Sequence, residues 1–445
     1  MFFIALVSAG DAAAGSPAPG LPIVGGITIL ERQVRQALRA GAAEVLVLLG
    51  ENDAPALSCG SDPRVRCFAT PADLGAHLAD RTLPVLLFAP GVVIDDRLVE
   101  TMARHTEPAL LLVFDRDPPA GAERLDSRDH WAGIARIPAR TVARTAAGLG
   151  EWDLASTLVR VAVEAGVGRL GVSDLDTYAA ERRRSLPFLW ARPVDDAGCA
   201  AATGLLIASA QKGCLDWPAR LLHPPVENAA VRLLLRTRVT PNQVTLATVM
   251  LGLGAIAAFA TGWLWTGVIL MLLVGPLDGV DGKLARVRAE YSRWGDLEHV
   301  ADKLAEYGAY LALGWWFAGA GHGLGAWLAA GGIILFSLYE AVQGEFFRRF
   351  TGRQLDDWGP FERRFRLIAG RRNVYFWSVL PFFALNLWFE GYLMILGYAA
   401  VTFSVAEWRF MRAIREYAQR VDPRVGANFT DTAYDFLPKA GAGGR

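Results

Sequence analysis

The chain has 445 residues, 53% of them hydrophobic, and its 45 basic and 45 acidic side chains leave no formal net charge. That length admits two or three domains, and the neutral balance removes nucleic acid from the expected partners. Cys59, Cys67, Cys199 and Cys214 fall at no metal-ligand spacing and read as free thiols.

Residues 1–210 alternate short apolar runs with helical patterns, which predicts an α/β domain on a mostly parallel sheet. The opening MFFIALVSAG is apolar without a basic leader and reads as a first strand, not a signal peptide. Further strands are expected at 43–50, 83–90 and 109–116, and in RLGVS (169–173). Between the first two strands, Ile27, Leu30, Val34 and Leu38 recur every three or four residues, so 27–41 is expected to be an amphipathic helix. Residues 154–166 carry a second helix of this kind.

Residues 211–240 are expected to form a juxtamembrane amphipathic linker helix. Leu221, Val231, Leu234 and Leu235 alternate there with Arg220, Arg232, Arg236 and Arg238, a pattern suited to a membrane surface. An ordinary interdomain helix would carry the same pattern.

From Thr240 to Leu277, and again from Tyr307 to Tyr339, there is no charged side chain, and each stretch is long enough for two spans of roughly 17–20 residues. Six spans are expected within 241–420, near 241–261, 264–286, 295–318, 324–347, 373–390 and 391–413. This C-terminal part therefore reads as an all-α six-helix transmembrane bundle. Arginines and lysines gather on one side of it, at Arg232 to Arg238, Lys283 to Arg293, Arg348 to Arg372 and Arg412 to Arg420. Excess positive charge marks the cytoplasmic side, so both termini and that face are expected to be cytoplasmic, in a cell (inner) membrane. Residues 421–445 end in AGAGGR and read as a flexible tail.

The chemistry concentrates in LDGVDGKLARVRAEYSRWGDLEHVADK (277–303). Carboxylates at membrane depth are costly, so they pair, face a cavity or hold an ion. Asp278 and Asp281 lie three residues apart on one helical face, and Gly279 and Gly282 allow a ligand close to the backbone. Hard oxygen ligands suit Mg²⁺ or Mn²⁺ on phosphate oxygens. The next helix offers Asp296, Glu298, His299, Asp302 and Glu306, with Glu298 and Asp302 one turn apart. Solvated helix-end acids are the bland alternative, and the density of carboxylates beside a bilayer argues against it.

This stretch resembles the signature of the CDP-alcohol phosphotransferase family, D-x2-D-G-x2-A-R-x8-G-x3-D-x3-D. Asp278, Asp281, Gly282, Ala285, Arg286 and Gly295 match its first half, and TPNQVT (240–245) is also typical. The resemblance implies a six-helix membrane fold and transfer of a substituted phosphate from a CDP-linked donor to an alcohol, releasing CMP. It also implies Asp278 and Asp281 as metal ligands, with Gly279, Gly282, Ala285 and Arg286 against the CDP moiety. The second half departs: the positions of the third and fourth aspartates hold His299 and Lys303. A loop one residue shorter restores the pattern as Glu298, a metal ligand, and Asp302, the base. One residue turns a helical side chain by about 100°, so in the unshortened register His299 would serve as ligand or base.

The segment 21–50, LPIVGGITILERQVRQALRAGAAEVLVLLG, resembles the sugar-nucleotidyltransferase superfamily. That resemblance implies an arginine and a Pro-Lys pair in a glycine-rich loop, and a metal-binding Asp after a central strand. The loop 8–26 has glycines but neither basic feature, and Ala89-Pro90 stand where the Asp belongs. The domain is thus expected to be a degenerate relative with a binding, scaffolding or regulatory role. The domain order resembles bifunctional inositol-phosphate cytidylyltransferase and di-myo-inositol phosphate phosphate synthase proteins. The implied partners are a CDP-linked donor (CDP-diacylglycerol or CDP-inositol), a polyol or polyol-phosphate acceptor, the lipid bilayer and a second copy in a homodimer. The arginines between spans four and five, with Arg409 and Arg412, suit an acceptor phosphate or serve as plain topology charges. The rival to the enzyme is a non-catalytic membrane scaffold or CDP-ligand sensor.

Overall fold

The computed structural model describes residues 2–10, 18–49, 57, 60–149, 152–290 and 295–420, without the side chains of 295–300 and 418–420. It divides into two compact units, Met1–Gln211 with Lys283–Tyr291, and Lys212–Gly282 with Ser292–Arg445. The tail after residue 420 and part of the glycine-rich loop, 11–17, lie outside the described residues.

In the first unit, strands β1 (Ile4–Ser8), β2 (Glu44–Leu48), β3 (Val65–Phe68), β4 (Pro84–Phe88), β5 (Leu110–Phe114), β6 (His130–Pro138) and β7 (Gly168–Gly171) form one sheet. Among the described residues its order is β7-β5-β6-β4-β1-β2-β3, with Glu123–Arg124 pairing on β6. β1 runs parallel to β2 and β4, β2 to β3, and β5 to β7. β6 lies antiparallel between β4 and β5. The central strands read as unbroken apolar runs because both their faces are covered; every residue of β1 and β5 is buried.

The covering helices begin where the sequence supplies a cap. Thr28 accepts from the Glu31 amide ahead of α1 (Ile29–Arg39), and Thr70 from Asp73 ahead of α2 (Pro71–Leu78). Asp95 caps α3 (Asp96–Arg104), Asp153 caps α5 (Leu154–Glu164), and Asp195 caps α6 (Asp196–Ser209). Helix α4 (Ala139–Ala147) follows β6 directly. The buried Arg136 of β6 donates to the carbonyls of Met102, Ala103 and Glu107, satisfying the end of α3.

The second unit is helical. The linker expected as one helix is two, α7 (Trp217–Leu221) and α8 (His223–Leu234), broken at Leu222, because Pro224 and Pro225 lack the amide donors that would continue the α7 ladder. It buries His223, Glu227 and Val231. Helices α9 (Pro241–Ala260), α10 (Leu264–Val287), α11 (Gly295–Phe317), α12 (Gly323–Thr351) and α16 (Trp388–Arg420) are long; α13 (Pro360–Ile368), α14 (Arg372–Ser378) and α15 (Leu380–Ala384) are short. Among the described residues, four stretches are long and apolar enough to cross a membrane: Pro241–Ala260, Leu264–Val287, Ala301–Thr351 and Trp388–Tyr417. The third contains α11 and α12, joined by a wide turn in which Gly321 and Gly323 take positive φ.

The span expected at 373–390 differs from the structure. It is the broken pair α14 and α15, with Pro381 at the start of α15 and Asn386 left-handed just beyond it. The α9–α11 packing is close because the contact residues are small. A Cβ on Gly252 would lie 3.0 Å from that of Ala305, and one on Gly308 would meet Ile256.

Candidate active site

TPNQVT builds the start of α9. Pro241 stands in the first turn, where its missing N–H costs nothing, and Thr240 and Gln243 exchange side-chain-to-backbone hydrogen bonds as a capping box. This rigid start aims Thr245, whose Oγ1 donates to Asp281 Oδ2 at 2.7 Å. Asp281 is only 2% exposed. Its carboxylate thus draws on a neighbouring helix as well as on its own.

Asp278, one turn earlier on α10, accepts from the Arg372 guanidinium at 3.0 Å. The same guanidinium lies 3.9 Å from Asp302 of α11. Arg372, at the start of α14, therefore joins carboxylates from two helices, and it is itself buried. The buried guanidinium needs counter-charge, and the two carboxylates supply it.

Helix α8 closes one side. A Cβ on Gly279 would collide with Glu227 Oε1, and one on Gly275 would lie 2.8 Å from Asn373 Oδ1 and 2.9 Å from His223 Cε1. The glycines flanking Asp278 thus admit Glu227 and His223 to the α10 backbone. Burial pushes the His223 imidazole below its ordinary value, against the pull of Glu227 and Asp216.

Lys303 turns away from Asp278. Its Nζ donates to Glu306 at 2.8 Å and to Ser337 at 3.4 Å, and Tyr310 donates to the same Glu306 carboxylate at 3.3 Å. The side chains of Glu298 and His299 lie outside the described residues. Gly282 donates its amide to the Asp281 carboxylate. Ala285 and Arg286 fall in the segment grouped with the first unit, where Arg286 Nε donates to the Ala210 carbonyl at 2.9 Å.

Further along, Arg366, Arg371 and Arg409 converge on Asp356, at 3.2, 3.4 and 3.4 Å. Arg366 also lies 3.8 Å from Asp216. Three guanidinium groups here surround one carboxylate.

Sequence reasoning singled out neither Thr245 nor Glu227 nor His223. Arg372 it read among the arginines between spans four and five, as an acceptor-phosphate ligand or a plain topology charge. The legible signal was weak: a hydroxyl one turn inside the capping box, and an arginine pair opening an apolar segment.

A family model described as CDP-alcohol phosphatidyltransferase matches residues 238–405. Inner membrane protein YnjF of Escherichia coli is 30% identical over 158 residues, which cover 34% of this chain and 73% of that protein. The chain belongs to the CDP-alcohol phosphatidyltransferase family. Phosphatidylinositol phosphate synthase of Mycolicibacterium smegmatis is 35% identical over 99 residues, 22% of this chain and 43% of its own. The bifunctional IPC transferase and DIPP synthase of Thermococcus kodakarensis is 29% identical over 167 residues, 37% of this chain and 34% of its own. The matched region thus spans less than half the length of these two relatives. A solved glucose-1-phosphate thymidylyltransferase structure from Bacillus anthracis aligns with 46% of this chain and 95% of its own, at 11% identity and a TM-score of 0.33. That likeness is too slight to build on. Family membership and the long apolar helices together make this an integral membrane protein.

The side chains around α10 carry oxygen donors of the type a hard divalent cation takes. Asp278, Asp281 and Asp302 offer only carboxylate oxygens, and two of them already converge on one cationic group, the Arg372 guanidinium. Among the described residues, no three His, Cys, Asp or Glu side chains form a metal cluster.

Proposed function

We propose that this chain is a membrane transferase that moves a substituted phosphate from a CDP-linked alcohol to an alcohol acceptor and releases CMP. The observation that carries this reading is the sharing of Arg372 by Asp278 and Asp302, with Asp281 one turn away at the end of an apolar helix.

Asp278 and Asp281, with Glu298, would hold Mg²⁺ or Mn²⁺, which when bound neutralises charge on the pyrophosphate. Asp302 takes the proton of the acceptor hydroxyl. The freed oxygen forms a bond to the donor's distal phosphorus, and the bond from that phosphorus to the bridging oxygen breaks. The electron pair leaves with CMP. Arg372 holds Asp278 and Asp302 in place through its guanidinium, and the Thr245 hydroxyl orients Asp281 by donating a hydrogen bond. Gly282 is read as the position where the nucleotide approaches the helix backbone, since Glu227 occupies the space beside Gly279.

The acceptor reading favours a phosphate-bearing polyol. Arg366, Arg371 and Arg409 gather around Asp356, with Asp216 also beside Arg366, and clustered guanidinium groups suit phosphate. The name of the Mycolicibacterium smegmatis relative, phosphatidylinositol phosphate synthase, agrees with this chemistry. Basic residues outnumber acidic ones around the ends of α10, α12 and α13, which favours a cytoplasmic active-site face. The first unit is read as a non-catalytic nucleotidyltransferase relative.

The test is CMP release by detergent-purified protein, with Asp281→Ala beside it. Loss of turnover in a variant that remains folded is the expected result. Retained turnover contradicts the assignment, and CDP binding without CMP release in any donor–acceptor mixture favours the sensor reading.

A further inference from the structure

The first unit holds the middle of the signature segment. Residues 283–291 are grouped with it, and they follow directly on Asp281 and Gly282 in the chain. Ala289 takes a positive φ of 50°, and the Ala289 and Glu290 amides donate back to the carbonyls of Arg286 and Ala285, so α10 ends sharply here. A helix end leaves its last carbonyls unsatisfied and partially negative.

Two arginines of α1 take up these carbonyls. Arg32, 2% exposed, donates to the Val287 carbonyl. Arg35 donates to the Arg288 carbonyl at 2.9 Å, and pairs with Glu290 at 3.2 Å and Glu31 at 2.8 Å. Gly25 is left-handed, and a Cβ there would lie 2.9 Å from the Val287 carbonyl, so even the loop before α1 is shaped around it. The C-cap of α6 adds the Ala210 carbonyl, which accepts from Arg286, while Lys283 donates to Gln211.

We propose that Arg32 and Arg35 are positioning residues for the donor nucleotide: by holding the Val287 and Arg288 carbonyls, they fix the segment that carries Arg286, which the transferase reading sets against the CDP moiety. This rests on the transferase reading above. It gives the first unit a role that needs neither a nucleotide-binding loop nor a catalytic aspartate of its own. Arg35 and Arg32 sit one turn apart on a single helix of that unit, so a change in its conformation transmits directly to the segment.

The experiment compares intact wild type with Arg35→Ala and Arg35→Lys. Amide hydrogen exchange of the 283–290 peptide and CDP affinity by titration are read separately. Expected are faster exchange in Arg35→Ala, a weakening of CDP binding by about tenfold, the worth of one hydrogen bond to a charged group, and partial recovery in Arg35→Lys. In turnover, the donor KM rises while kcat stays within about twofold. Unchanged exchange overturns the clamp whether or not the protein turns over. Faster exchange with unchanged CDP affinity overturns its role in donor binding. Wild type that binds no CDP refutes the transferase reading, and with it the donor role, while the exchange result still reports on the clamp.

Discussion

Thr245 is the sharpest point at which to perturb the site, because it touches the buried acid from a different helix. Its hydroxyl donates to Asp281 Oδ2 at 2.7 Å, and Asp281 is 2% exposed. Thr245→Val keeps the side-chain shape and removes that donor. A hydrogen bond to a charged group contributes roughly 1.5–3 kcal/mol, with little solvent to replace it at this depth. Asp281 also accepts from the Gly282 amide, so the lower end applies. The expected loss in kcat/KM is thus about tenfold to thirtyfold. The assay is CMP release at varied divalent metal, and the concentration giving half-maximal rate should rise in proportion. Thr245→Ser should restore most of the rate, since it returns the hydroxyl. Thr245→Val with wild-type kcat/KM and metal dependence would refute the claim that the capping segment of α9 tunes this acid.

Arg372→Gln leaves Asp278 and Asp302 without their common counter-charge; with the Asp278 carboxylate about a third exposed, part of the loss is screened, and a fall in kcat/KM of about thirtyfold is expected in steady-state assays. Gly279→Ala sets a methyl against Glu227 in a packed setting, so the unfolding midpoint in detergent should fall by several degrees, reflecting about 1–3 kcal/mol of overpacking. Asp95 supplies a pH test in the first unit. Burial disfavours its charge, but Arg97 and the Leu189 amide outweigh this and hold it below the ordinary value. Its contribution is therefore present above the unfolded-state pKa and lost as pH falls through the lower folded one. Urea unfolding of wild type should weaken between about pH 5 and 3, and Asp95→Asn should flatten that slope.

The strands at 4–8, 44–48, 84–88 and 110–114 were legible because buried parallel strands are unbroken apolar runs. β6 was not, since HWAGIARIP mixes a glycine and an arginine into its run, and Arg136 is buried because two carbonyls of α3 and that of Glu107 just beyond it accept its hydrogen bonds. Helices α9 to α12 followed from uncharged length. The broken 373–390 segment did not, because composition there is as apolar as in a span and only Pro381 and Asn386 mark the interruption. Within the site, Asp278 and Asp281 were visible as a local pattern. The partners that govern them, Thr245, Glu227 and Arg372, lie 36, 52 and 94 residues away from the acids or glycine they touch. Spacing along the chain carries no trace of such contacts. The departure at His299 and Lys303 is informative in the same way, since Lys303 pairs with Glu306 while Asp302 approaches Arg372.

The most direct test of the central claim is metal-dependent CMP release by the purified intact protein. It would be offered CDP-diacylglycerol or CDP-inositol, each with inositol phosphate, glycerol phosphate or inositol. The account predicts release with at least one phosphate-bearing acceptor, abolished by chelation of the metal and by Asp281→Ala. No release from any pair, in protein that nevertheless binds CDP, would contradict it.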